Sequence, residues 1–314
     1  MTKNFKAIKS ITGFFLLINS QYLLSSIDDY FDVQAGPSAS NYGNTGILEM
    51  PNARFMEEGG LRFNFSASYP NEYTALTASP FNWFEATYRY NEIKNQQYGP
   101  SSYSGNQTLK DKGFDLKFGL LGESFYAPAI AMGIRDLAGT GLFSSEYIVA
   151  SKKVSNLDFT VGLGWGLLGT EGGLSNPFVN LSDQFKDRIV EKGQGGSFSY
   201  KSWFSGETSI FGGLEYSLKK YGLRFKHEYD TSNPDFYQTV SKVDSRFNIG
   251  LNYSISDSLR IGASFERGNQ FRVAFTIKGI FSKDTIDKPP PKNVVRLSEE
   301  QLETSSRNKD IFYR

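Results

Sequence analysis

Apolar and polar residues alternate with a period of two along much of the chain, most clearly from Leu157 to Gly166, LDFTVGLGWG. The odd-numbered positions of this segment are Leu, Phe, Val, Leu and Trp, whereas the even-numbered positions are Asp, Thr and three glycines. Because successive side chains of a strand point to opposite faces, the segment predicts a strand with one bulky apolar face and one small, polar face. This pattern is typical of transmembrane barrel strands, which face lipid outside and a polar lumen inside.

The same alternation predicts about twelve antiparallel strands along the chain. The second of them is weak, so ten and fourteen strands are the alternative counts. In the first strand, Arg62 and Asn64 face inward while Phe63 and Phe65 face outward. The predicted strands span residues 61–69, 73–79, 83–92, 113–121, 128–137, 143–154, 157–167, 209–218, 221–230, 246–255, 259–268 and 270–281.

The lengths of the predicted connections support a barrel topology. Three long connections, residues 93–112, 168–207 and 231–245, all follow odd-numbered strands, whereas the short turns 155–156 and 219–220 follow even-numbered strands. Outer-membrane barrels have long external loops and short periplasmic turns, so the long connections are expected on the outer side.

Two N-terminal segments precede the predicted barrel. Residues 1–26 are predicted to be a cleaved secretory signal peptide, because Lys3, Lys6 and Lys9 precede a mostly apolar run. An amphipathic helix is the alternative for these residues. Residues 27–60 include the Gly-, Asn- and Pro-rich run GPSASNYGNTGILEMPNARF. This segment is expected either to plug the lumen or to lie against its periplasmic mouth.

A tail, residues 282–314, follows the barrel predicted over residues 61–281. It contains Pro289, Pro290 and Pro291, which predict a stiff spacer. Residues 297–305 then predict a short periplasmic helix, with Ser298 as N-cap and Gln301 three positions later.

The composition argues against several classes of protein and of functional site. The formal net charge of the 314 residues is only +1, so no nucleic-acid partner is expected. No run of 18 apolar residues occurs, which argues against a helical membrane protein but not against a barrel. The sequence contains no cysteine and a single histidine, His227, so neither thiolate nor multi-histidine metal sites are expected. We therefore expect no metal and no cofactor.

Charged residues of both signs fall on the face predicted to line the lumen. They form either a mutually paired network that fills a modest barrel or a polar path for a hydrated, weakly charged polymer such as a polysaccharide. Mixed charges select poorly between anions and cations, which disfavours a simple ion-selective porin. The residues predicted to face the lumen are Arg62, Glu85, Arg89, Asp115, Lys117, Arg135, Glu146, Lys152, Asp158, Glu215, Arg224, Lys226, Glu228, Arg260, Glu266, Arg272 and Lys278.

An outer-membrane enzyme is the rival class of function. His227 is expected to face outward on the ninth strand, where a barrel lipase would need it, but the chain has no G-x-S-x-G motif. No catalytic residue is therefore expected. The outer-loop aromatic residues are expected either to stack on sugar rings or to pack within the loops, and these residues are Tyr98, Tyr103, Trp203 and Phe204.

A family resemblance is carried mainly by residues 111–166, DKGFDLKFGLLGESFYAPAIAMGIRDLAGTGLFSSEYIVASKKVSNLDFTVGLGWG. The upstream runs GPSASNYGNTGILEMPNARF and PFNWFEATYRYNEI, and residues 203–230, extend it over nearly all of the mature chain. These stretches strongly resemble the YjbH/GfcD family of exopolysaccharide- and capsule-associated outer-membrane proteins. The resemblance implies a role in assembling or exporting a secreted polysaccharide, and it implies no catalytic residues.

The sequence departs from this family in two respects. Some relatives are lipoproteins, but this sequence has no cysteine to acylate. Family members also commonly continue into a second barrel, whereas this sequence ends at Arg314. A truncated gene, a split protein whose second half is encoded separately, and a naturally short form are the three alternatives.

Together these observations predict an all-β protein, a closed antiparallel up-and-down transmembrane β-barrel in the outer membrane of a Gram-negative bacterium. Closure is expected because an open edge in lipid would leave backbone polar groups unsatisfied. The expected function is non-catalytic help in exopolysaccharide or capsule export or assembly. A general diffusion porin and a lipid- or glycan-modifying enzyme are the alternatives, and a soluble β-sandwich is the alternative fold. The expected partners are outer-membrane lipid, polysaccharide, polysaccharide-export proteins and a separately encoded second barrel half.

Overall fold

The described residues of the computed structural model, 36–189, 200–233 and 242–281, form a closed barrel of twelve antiparallel strands. Every strand pairs with its sequence neighbours, and the last strand pairs with the first. Closure satisfies the backbone groups that edge strands would expose to lipid. The strands are β1 (Gly60–Ser68), β2 (Asn71–Phe81), β3 (Phe84–Gln97), β4 (Thr108–Leu121), β5 (Ala129–Leu137), β6 (Ser145–Val154), β7 (Leu157–Gly166), β8 (Ser209–Leu218), β9 (Leu223–Tyr229), β10 (Phe247–Ser254), β11 (Leu259–Glu266) and β12 (Gln270–Ile280).

The predicted fold class is confirmed, and each predicted strand is present. The largest difference concerns β3 and β4, which continue into the connection predicted over residues 93–112, so that Gln97 still pairs with Thr108. The outward positions of this extension are polar, and Glu92 lies opposite Lys110. The apolar alternation therefore ends before the hydrogen-bonded ladder does, which is why sequence pattern alone shortens both strands.

The connections separate by length between the two ends of the barrel. We call the end that holds residues 36 and 281 the terminal end and the opposite end the loop end. The connections after β3, β7 and β9 lie at the loop end, and the first of them contains the short helix α1 (Ser101–Ser104). Turns 155–156 and 219–222 lie at the terminal end. Because short turns are periplasmic in outer-membrane barrels, the terminal end faces the periplasm.

The outer surface of the barrel carries an exposed apolar band, as expected for a protein of the outer membrane. Within β7, Val161 is 55% exposed and Phe159 is 44% exposed, although both are large and apolar. At the terminal end, Phe81 and Trp83 stack with ring centroids 5.4 Å apart, where an aromatic girdle would meet lipid headgroups. Other exposed members of the band are Phe63, Leu76, Tyr88, Phe114, Ile249, Leu251, Ile261, Phe265, Val273 and Phe275.

Some predicted segments lie outside the described residues. These are the signal peptide, residues 1–26, and the tail helix, residues 297–305. No helix among the described residues is long and apolar enough to cross a membrane.

We expect Val161→Arg to destabilise the folded barrel by about 2–4 kcal/mol, because Val161 faces lipid in the middle of β7. Tyr221→Arg is the control, since Tyr221 lies in the terminal turn 219–222 and should cost roughly 0–1 kcal/mol. Reversible guanidinium unfolding in lipid vesicles measures both values. Equal costs for the two substitutions would contradict the assigned membrane position.

Candidate functional site

Residues 36–59 enter the barrel from one end and return to it, and we call them the plug. The plug begins at the terminal end, where the Gly36 carbonyl oxygen accepts a hydrogen bond of 3.0 Å from Arg260. It rises to the loop end, where the Tyr42 ring lies 4.9 Å from the Tyr73 ring, and it returns to the terminal end at Arg54. Every plug residue from 38 to 53 is buried. The structure thus places residues 38–53 in the lumen, with the two ends of the plug at the periplasmic mouth.

Cationic side chains of the barrel wall donate hydrogen bonds to backbone carbonyl oxygens of the plug. Arg62 Nη2 lies 2.7 Å from the Gly43 oxygen, and Arg135 Nη2 lies 2.9 Å from the Glu49 oxygen. Charged donors make stronger hydrogen bonds than neutral ones, and burial protects these bonds from competition with water. Further pairs of this kind join Lys117 to Thr45, Lys226 to Ala39 and Arg224 to Gly36.

Carboxylates of the wall bind the opposite set of plug groups, the backbone N–H donors. Glu228 accepts three of them, from Leu48 at 2.9 Å, Glu49 at 2.8 Å and Met50 at 3.2 Å. It also accepts a hydrogen bond of 2.9 Å from the Asn248 side chain. One buried carboxylate therefore fixes the turn of the plug. Glu85 acts similarly on the N–H groups of Thr45 and Met56, both at 3.0 Å.

One side of the lumen is apolar. Met50 and Ala53 of the plug pack there in a buried cluster with Tyr147, Val149 and Phe211 of the wall. Phe211 fits because β7 has a glycine opposite it, and a Cβ at that glycine would lie 2.3 Å from the Phe211 ring. The glycines of β7 thus make room for a side chain that fills the lumen, in addition to forming a small polar face.

The loop end holds the plug through Glu49. Its carboxylate lies 3.1 Å from Arg267 Nη2 and 3.7 Å from Arg272 Nη2, and it accepts a hydrogen bond of 2.7 Å from Asn41. Burial alone would raise the pKa of Glu49, but the two guanidinium groups and the Asn41 amide outweigh burial and lower it to about 2. Glu49 is therefore ionised at every physiological pH.

Most residues predicted to line the lumen do face it. The strand register places them on the same face as residues that bind the plug, because directly paired residues of neighbouring strands point to the same side. These inward residues are Arg62, Glu85, Arg89, Asp115, Lys117, Arg135, Asp158, Glu215, Arg224, Lys226, Glu228, Arg260, Glu266, Arg272 and Lys278.

Glu146 and Lys152 lie on the outer face of β6 instead, which corrects their predicted position. Tyr147 and Val149 take the inward positions of this strand and join the apolar cluster around the plug. Because β6 has apolar residues on both faces, apolar alternation does not show which face is inward. Its charged residues were therefore assigned to the lumen in error. Glu146 is nevertheless buried, because Arg188 of the long loop after β7 covers it with an ion pair of 2.6 Å.

Wall residues also pair with one another, as the paired-network interpretation expects. Arg272 lies 2.9 Å from Glu266, and Arg89 lies 3.5 Å from Asp115. Sequence reasoning missed that the backbone of the plug is a partner at least as important as these pairs. The available signal was the composition of residues 36–55, which are rich in Gly, Ser and Asn and lack period-two alternation.

Two of the candidate catalytic and sugar-stacking residues, His227 and Phe204, pack against other aromatic rings. His227 faces outward and stacks on Phe247, with ring centroids 5.6 Å apart. Phe204 packs on Trp165 at 5.2 Å within the long loop, whereas Tyr103 of α1 is largely exposed. Within the described ranges, no group of three or more His, Asp or Glu side chains is placed to hold a metal ion.

Comparison with known proteins identifies relatives of the chain. Residues 38–311 match the YjbH family, described as exopolysaccharide biosynthesis protein YbjH. A relative from Escherichia coli K12, described as uncharacterized lipoprotein YjbH, is 41% identical over 250 residues. The match covers 79% of this chain and 36% of the relative, so the chain spans little more than a third of that protein. These matches confirm the family resemblance.

Solved structures with a similar outline are also outer-membrane barrels. The KdgM porin aligns with 10% identity and a TM-score of 0.39, over 70% of this chain and 97% of the porin. Outer membrane phospholipase A from Escherichia coli aligns with 10% identity and a TM-score of 0.31, over 72% and 93%. Both scores are below 0.5, so nothing about the activity of this chain follows from them.

We expect the contribution of Glu49 to stability to disappear in acid. Its pKa is lower in the folded protein than in the unfolded chain, so its contribution is present above about pH 4.3 and is lost as the pH falls toward 2. At pH 6, Glu49→Gln should lower the free energy of unfolding by on the order of 3 kcal/mol, and the difference from wild type should shrink toward pH 2.

Guanidinium unfolding in detergent between pH 6 and pH 2 measures this difference. Glu57→Gln is the matched control, because Glu57 is an exposed carboxylate at the end of the plug. A Glu49→Gln difference that stays constant over this range would show that Glu49 is not held as an ion.

Proposed function

The chain belongs to the YjbH family of exopolysaccharide biosynthesis proteins, and from this premise we propose that it is a non-catalytic component of exopolysaccharide or capsule export or assembly at the outer membrane. In this proposal the barrel is an outer-membrane element whose lumen the plug keeps closed. The observation that carries the proposal is that buried side chains of the wall, among them Glu228 and Arg135, hydrogen-bond to the backbone of the plug.

The geometry argues against the general diffusion porin. A porin needs a water-filled path, whereas the plug and the wall side chains fill the lumen along residues 38–53. The same wall carries many charged side chains of both signs that can donate or accept hydrogen bonds. Such a surface suits a hydrated polymer better than a simple ion. Polymer passage would require the plug to move, whereas a scaffolding role in assembly would not.

The family association supports the polysaccharide role, and cells provide its test. Removing the gene should reduce secreted polysaccharide and leave the uptake of small solutes unchanged. Restoring the wild-type gene should restore secretion. Unchanged secretion together with impaired solute uptake would contradict the proposal and support a diffusion channel.

We expect the purified full chain to be closed in a planar bilayer and Glu228→Ala to produce open events. The substitution removes the acceptor of three plug N–H groups, so the plug should leave the lumen more often. Glu72→Ala is the control, because Glu72 pairs with Lys94 on the outer face of the barrel. Circular dichroism and the heat-dependent shift in electrophoretic mobility test whether each variant retains the barrel. A steady open state of the wild-type protein would contradict plug closure.

A further inference from the structure

A cavity of about 310 Å³ opens at the terminal end, between the plug and the ends of β6 to β9. It lies on the periplasmic side, outside the packed part of the lumen. The first and last parts of the plug form one wall, and strand ends form the other. The lining residues are Gly36, Pro37, Arg54, Phe55, Lys153, Asn156, Asp158, Glu215, Ser217 and Arg224.

The two guanidinium groups of this cavity are held in position by ion pairs and hydrogen bonds. Arg54 binds both oxygens of Asp158, at 2.7 and 2.8 Å, and it also binds Glu123 at 2.5 Å. Arg224 donates hydrogen bonds to Ser217 at 3.1 Å and to Ser38 at 2.7 Å. Because these groups bind one another, the site presents donors and acceptors without having to order them first.

An aromatic ring lies among these polar groups. Phe55 is half-buried and lines the cavity. The Lys117 ammonium group lies over one face of its ring, 4.5 Å from the centroid, so a sugar would have to stack on the other face. The negative face of an aromatic ring attracts groups that carry partial positive charge, such as the C–H bonds of a pyranose ring. A saccharide could stack its C–H groups on the Phe55 ring and hydrogen-bond through its hydroxyl groups to the carboxylate, amide, hydroxyl and guanidinium groups of the lining.

The charges of the lining indicate which saccharide would fit. Arg54, Lys153 and Arg224 are cationic, and Asp158 and Glu215 are anionic, so the lining is close to balanced. A polyanion would need a clear cationic excess, and an apolar ligand would not use so many polar groups. A neutral sugar unit satisfies both conditions.

We propose that the Phe55 cavity at the periplasmic mouth binds a neutral saccharide unit of the exported polymer. This inference rests on the proposed function, because that function supplies the polymer. It makes the mouth of the closed barrel a recognition site, and it requires no movement of the plug.

Binding can be measured by saturation-transfer NMR and titration calorimetry on the purified full chain. The probes are glucose, galactose and neutral oligosaccharides prepared from the secreted polysaccharide of the producing cells. The detergent must lack a sugar headgroup, because a maltoside would compete for the site. We expect saturable binding of at least one probe, and we expect Phe55→Leu and Asn156→Ala each to weaken it at least fivefold. Phe125→Leu is the matched control, since Phe125 lies on an exposed terminal turn outside the cavity.

Absence of binding by every probe, or binding that neither Phe55→Leu nor Asn156→Ala weakens, would overturn the proposal. Stronger binding of glucuronic acid than of the neutral probes would overturn the assignment to a neutral sugar. The cell experiment distinguishes this result from failure of the proposed function. If secretion depends on the gene but no saccharide binds, the function stands and the cavity does not serve it.

Discussion

The charges that line the lumen are the constraint on which the rest of the structure depends. Burying an ion without a partner costs several kcal/mol. This barrel buries many charged side chains in its lumen, so each of them needs a partner. The plug is an irregular segment, so its own buried backbone groups also need partners. The wall side chains and the plug backbone supply partners for each other. Its carbonyl oxygens bind wall cations such as Arg62, and its N–H groups bind wall carboxylates such as Glu228.

The apolar side of the plug gives this arrangement its position. Met50 and Ala53 pack against the wall residues Tyr147 and Phe211, so the plug is fixed by shape as well as by charge. β7 supplies the glycine that makes room for Phe211. A plug held in this way fills the lumen along residues 38–53.

The sequence predicted the barrel wall much better than its contents. Strand alternation is a local property, and residues such as those of β7 specify it within ten positions. It failed where both faces of a strand are apolar, so Glu146 of β6 was assigned to the lumen although Tyr147 occupies it. The plug could not be placed from sequence, because its contacts are distant in the chain. Leu48 and Glu228, for example, are 180 positions apart.

The most direct test of plug closure uses the absence of cysteine from the sequence. The Ala53 backbone nitrogen lies 2.9 Å from Ser151 Oγ on the wall, so cysteines at these two positions should be joined by a short thiol cross-linker in intact outer membranes. A pair of cysteines at Ala53 and Ser258, a terminal-turn residue of another strand pair, is the control. We expect high cross-linking of the first pair and little of the second. Equal or absent cross-linking of both pairs would show that the plug does not occupy the lumen.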